Sequence, residues 1–195
     1  MDSGGADLRQ PKVFPAKGGD CVEEPLGVGE IGLHLGCGKR LWPGWLNVDL
    51  EQGDYLCDIR ILTLPDSYAE RAAAIHVFEH LWPWDVPPAL AEWKRVLRPG
   101  GKLVLELPNL QRILSHIFIR MNKGEQPSRS FSWLPMWGDP AFKDPAMMHK
   151  WGYFPIDVEN LLKDAGFVDI THEEARYHFP IRDMRVTARK PKEAS

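Results

Sequence analysis

What this sequence lacks narrows its chemistry before any motif is considered. No apolar run approaches ~18 residues, so no membrane-spanning helix is expected and the membrane is not among its partners. The three cysteines, Cys21, Cys37 and Cys57, share no C-x-x-C spacing. An odd count without an export signal reads as reduced thiols in a cytoplasmic setting. The opening stretch, MDSGGADLRQPKVFPAKGGD, has no basic-then-apolar order. A net charge of -3 and a pI of about 6.2 supply no global basic field. The basic cluster ARKPK stands alone near the end, so no nucleic-acid partner is expected. Internal repeats are missing too.

What is present suits one globular unit. In a chain of 195 residues, 44% of them apolar, roughly 70% of the unfolded surface can be buried without disulfide staples. Residues 1–28, rich in Gly, Pro and charge, read as a loosely ordered N-terminal arm before a domain over 29–195. IGLHLG (31–36), WLNVDL (45–50) and YLCDI (55–59) read as short strands, AAAIHVF (72–78) as a buried apolar run, and KLVLELP (102–108) as a further strand. Asp85 is placed to cap a helix with the apolar face Val86, Leu90, Trp93, Val96 and Leu97, which RPGG stops. A helix is expected from Asn109 to about Met121, and another over 155–167 with Gly166 at its stop. VDITHEEARYHF and MRVTARK read as closing strands. Between them, 122–150 loses periodicity and collects Pro, Trp and Met, so it reads as a lid or substrate-shaping insertion. Strands alternating with helices indicate an α/β fold with a largely parallel sheet.

The stretch LHLGCGKRLWPGWLNVDL carries the first functional signal. Gly36 and Gly38 leave a strand end where backbone can approach a ligand, and Asp49 closes the next strand, where a carboxylate can accept both ribose hydroxyls. The dinucleotide fingerprint fails because Leu41 stands where a third glycine is required. A phosphate-binding loop fails because Gly38-Lys39 is followed by Arg40. A nucleoside without a pyrophosphate remains.

With CDIRILTLP, IHVFEHL, EWKRVLRPGGKLVLELPNL and LLKDAGF following in order, the chain resembles the class I S-adenosylmethionine-dependent methyltransferases, near the type 11 subgroup, over roughly residues 31–190. The resemblance implies a Rossmann-like, doubly wound α/β fold, mostly parallel, with an antiparallel last strand. It implies S-adenosylmethionine as cofactor and S-adenosylhomocysteine as product. Gly36, Cys37 and Gly38 would contact its methionine and ribose part, Asp49 the ribose, Asp58 with Ile59 the adenine, and His76 with Val77 its flank. One departure is visible: only KRLWPGW separates Gly38 from the next strand, so the first crossover helix is short or absent.

HVFEH, His76 to His80, also matches the H-x-x-E-H pattern of some zinc hydrolases, with His76, Glu79 and His80 as its members. Pro83 follows closely, and a strand-to-helix bend would turn the two rings apart, so no metal is assigned. Candidate general bases are His80 and His149, then Glu79. Trp133, Trp137 and Trp151 are candidates for a substrate wall. The expected activity is methyl transfer to O or N of a small-molecule or sugar-like acceptor. The alternative is a non-catalytic cofactor- or partner-binding relative of the fold. Oligomeric state is left open.

Overall fold

The computed structural model describes residues 26–177 and 179–192. The arm expected over 1–28 and Cys21 therefore lie almost wholly outside the described residues. Strands β1 (Gly32–Leu35), β2 (Leu46–Asp49), β3 (Tyr55–Leu56), β4 (Ala69–Ile75), β5 (Leu97–Pro108), β6 (Val168–Glu173) and β7 (Asp183–Arg189) form one seven-stranded sheet in the order β3-β2-β1-β4-β5-β7-β6. The first five are parallel, and β7 runs antiparallel to both β5 and β6.

Helices α1 (Val86–Val96) and α4 (Pro155–Asp164) cover one face of the sheet. Leu33, Leu35, Val48, Leu103, Leu105 and Val186 on the strands meet Leu90, Trp93, Val158 and Leu162 there. The alternation puts every second strand residue on this face, as period two requires. Two local expectations change. The Asp85 carboxylate makes no capping bond; it accepts Arg60 Nη1 at 3.1 Å instead. RPGG does not stop α1 either, because the chain turns extended at Leu97 and these residues form the irregular start of β5.

No helix joins β1 to β2. The turn Trp42–Trp45 stands there, with Gly44 at φ +78°, a conformation that suits glycine. Asn47 on β2 holds it: its amide nitrogen donates to the carbonyls of Trp42 and Trp45, and its oxygen accepts Trp42 N–H at 2.8 Å. Trp42 lies flat on His34 at 3.8 Å and on Tyr177 at 5.4 Å, so aromatic rings cover the sheet face that a crossover helix would otherwise cover. Tyr177 is held by the Glu106 carboxylate, which accepts the backbone N–H groups of Arg176 and Tyr177 and pairs with fully buried Arg185.

After β5, Asn109 caps α2 (Leu110–Asn122) by accepting Arg112 N–H. The insertion 122–150 is not structureless. It holds a π-turn at Arg129–Trp133, the short helix α3 (Leu134–Trp137) and two 3-10 turns, each started by Asp-Pro-Ala. It is tied down by Arg182 Nη1 donating to Ser130 O and by Lys150 N–H donating to Glu79 O at 2.7 Å.

Candidate active site

The carboxyl ends of β1, β2 and β4 meet at the glycine loop. Gly36 and Gly38 have φ of +65° and +51°. A Cβ on Gly36 would lie 2.5 Å from a Val77 methyl, whereas one on Gly38 would meet nothing within 4 Å, so the loop is closed toward β4 and open beside Gly38. Asp49 accepts Gly38 N–H and Glu51 N–H, each at 3.0 Å, one on each carboxylate oxygen. Each oxygen keeps a further lone pair, which suits a pair of adjacent hydroxyls. The residues thus fit the ribose end of a nucleoside. Cys37 is buried, and burial followed by the nearby Asp49 and Asp54 charges pushes its thiol up to about 12, which keeps it protonated and unreactive. Asp58 is engaged by Arg60, whose Nε and Nη2 clamp both its oxygens and hold its carboxyl below the usual range. Ile59 packs against the core and its carbonyl accepts Trp93 Nε1 at 2.7 Å.

Beyond Val77, a single 3-10 turn (Phe78–His80) carries the chain to a second space. There a cavity of about 230 Å³ is walled by Pro108, Leu110, Ile113, Trp137, Trp151 and Tyr153, with Glu79 the only ionisable carboxylate among them. Two buried polar atoms at this place have no hydrogen-bond partner, Glu79 Oε2 and Tyr153 OH. Glu79 is 2% exposed; burial would raise its pKa, but the His76 charge, then His80 and His149, bring it below the usual value and keep it ionised. Its other oxygen lies 2.9 Å from His76 Nδ1. His76, at φ +53°, also approaches Asp183 Oδ2 at 3.3 Å. Burial would lower its pKa, but Glu79 and Asp183 outweigh burial and raise it to about 9.

His80 and His149 lie edge-on, ring centres 4.8 Å apart. His80 Nδ1 donates to Ala146 O at 3.1 Å and His149 Nδ1 to Pro135 O at 2.8 Å, so the neutral form of each ring has its lone pair on Nε2. Burial first, with the His80 charge adding, lowers the His149 pKa against the pull of Glu79.

The model of a family described as "methyltransferase domain" matches residues 41–105. A crystal structure of a SAM-dependent methyltransferase from Archaeoglobus fulgidus superposes with a TM-score of 0.55 at 17% identity, over 83% of this chain and 86% of that one. One from Methanosarcina mazei gives 0.58 at 16%, over 84% and 93%. The 1,6-didemethyltoxoflavin-N1-methyltransferase of Burkholderia thailandensis, solved with 1,6-didemethyltoxoflavin and S-adenosylhomocysteine bound, gives 0.53 at 16%, over 84% and 72%. No curated protein matches by sequence. The chain has the fold of these SAM-dependent methyltransferases.

In this fold, Gly36, Cys37, Gly38, Asp49 and Val77, far apart in sequence, come to one strand edge. His76 is drawn away to Asp183 and Glu79, which also separates it from the H-x-x-E-H geometry: it pairs with Glu79 and does not converge with His80. Trp137 and Trp151 line the cavity and Trp133 does not. Tyr153 was not singled out by sequence; its only local signal is its place just before the helix motif PIDVENLL. No helix of the described residues is long and apolar enough to cross a membrane.

Proposed function

We propose that this domain transfers a methyl group from S-adenosylmethionine to oxygen or nitrogen of a small acceptor with an apolar or aromatic body. The observation that carries the reading is a two-residue step: Val77 closes the glycine loop, and Glu79 opens on the cavity. Cofactor and acceptor would therefore meet across one turn. The cavity is below the roughly 300 Å³ where drug-sized pockets begin, which favours a compact acceptor. Its two unpartnered polar atoms, Glu79 Oε2 and Tyr153 OH, would orient an acceptor that carries a donor or acceptor group.

The bound cofactor would supply a sulfonium methyl group that is displaced in line. The chain's part is to place and dehydrate the reactants. Gly38 leaves room for the ribose, and Asp49 accepts from its hydroxyls. The wall of Trp137, Trp151 and Tyr153 excludes water. A proton lost by a hydroxyl or ammonium acceptor would pass to a neutral imidazole nitrogen of His149 or His80, or to Glu79. The test is calorimetric titration with S-adenosylhomocysteine, followed by methyl-donor consumption in a mixture of small hydroxylated and aminated aromatic compounds. Binding with turnover is the expected result. Binding without turnover would favour the non-catalytic relative, and no binding at millimolar ligand would end both readings.

A further inference from the structure

We propose that Glu79, His80 and His149 form a binding site for a first-row divalent transition-metal ion at the edge of the acceptor cavity. A ligand-capable atom of each lies within 4.8 Å of the other two. Ligands about 2.1 Å from a tetrahedral ion stand roughly 3.4 Å apart, so binding draws the three together by about an ångström. Three independent features match what such an ion requires. Both histidines donate Nδ1–H to a backbone carbonyl, which fixes the tautomer and leaves Nε2 as a ligand, the usual outer-shell arrangement of a metal-binding imidazole. Glu79 Oε2 is buried without a partner, a costly state for an ionised oxygen that a cation would relieve. Glu79 also lines the cavity, so the set provides three protein ligands and room for an exogenous oxygen or nitrogen donor, the composition of an open site. Two imidazoles and one carboxylate suit zinc and its neighbours better than magnesium or calcium.

His76 is outside the set. It occupies the other oxygen of Glu79 and so orients the carboxylate from behind. The motif H-x-x-E-H thus contributes its last two residues to the site, and the third ligand comes from the far end of the insertion. The sequence reading assigns no metal because a bend after His76 would turn its ring from that of His80; His149, distant in sequence, enters it only as a base.

The acceptor side of this inference rests on the methyltransferase reading; the metal site does not. The experiment uses the full chain, stripped with a chelator and free of cofactor. Zinc(II) titrated against it should bind one ion per chain. Cobalt(II) should give visible bands of a low-coordinate nitrogen and oxygen site without a thiolate charge-transfer band, which excludes Cys37 and Cys57. His149→Ala and His80→Ala should each weaken binding by about 100-fold or more, since even outer-shell changes cost 10–100-fold. His172→Ala, at an exposed histidine paired with Glu159, should bind as the parent does. Glu79→Gln, with circular dichroism to confirm folding, guards against a variant lost to misfolding. Absence of one-to-one binding, or unchanged affinity in folded His80→Ala and His149→Ala, overturns the site. Zinc binding without S-adenosylhomocysteine binding would sink the methyltransferase reading alone, and the reverse would sink the metal site alone.

Discussion

Asp49 and His34 face the same side of the sheet and serve different ends. Asp49 spends one lone pair per oxygen on the loop, keeping the others for a ligand. Hydrogen bonds to a charged group contribute roughly 1.5–3 kcal/mol each, partly returned by water. Asp49→Ala should therefore weaken S-adenosylhomocysteine binding about tenfold to a hundredfold by calorimetry, while the folded signal persists. His34 is buried beneath Trp42, and burial, against a hydrogen bond to Asn47, lowers its pKa to about 4. Its folded pKa lies below its unfolded one, so between these values the unfolded chain binds the extra proton. Stability from this residue is full above pH ~6.5 and falls as pH drops toward 4, by on the order of 2–3 kcal/mol at pH 4.5. Urea midpoints at pH 7 and 4.5 should move apart in the parent and less in His34→Gln. Equal differences would show that His34 does not carry the acid sensitivity.

At the scale of elements, the Trp42–Trp45 turn does the work of a helix. Trp42 is 1% exposed and sits between His34 and Tyr177. Trp42→Ala should cost about 3–5 kcal/mol in chemical unfolding and should return the His34 titration, followed by NMR, toward its ordinary value. The turn was legible beforehand because Pro43-Gly44 cannot continue a helix, and so was α4, because Gly166 stands at its stop. What rings would cover was not legible, since Tyr177 arrives from the far end of the chain. The end of α1 misled for a different reason: Pro-Gly-Gly punctuates a helix, yet the same residues sit in an irregular strand start, where Gly100 takes φ +78° and its N–H donates to Lys190 O. In the insertion, each Asp-Pro-Ala begins a 3-10 turn through an aspartate accepting the alanine N–H. That is local chemistry which periodicity does not register.

For the molecule as a whole, the mostly parallel sheet with an antiparallel last strand followed from short patterns near one another in sequence. The acceptor side did not: Glu79 and His149 meet through the folded path of the insertion. Because that insertion walls the cavity, ligand should change its exposure. Limited proteolysis within 122–150 should slow when S-adenosylhomocysteine and an acceptor are present, and unchanged cleavage would leave it a fixed surface feature. At one hundred times Kd, S-adenosylhomocysteine should add about 2.7 kcal/mol of stability, a rise in Tm of roughly 5–11 °C for a chain of this size.

The guanidinium of Arg60 joins Asp58 to Asp85, and so ties the loop after β3 to the start of α1. If adenine is to be read at Asp58, this clamp is a latch that must yield first, which makes cofactor capture a kinetic question as well as an affinity. Exposed ion pairs weaken as ionic strength rises. The association rate of the zwitterionic S-adenosylhomocysteine, followed by stopped flow, should therefore rise with salt, and Arg60→Gln should bind fast at every salt concentration. A rate indifferent to both would place the adenine elsewhere and leave the latch a purely structural tie.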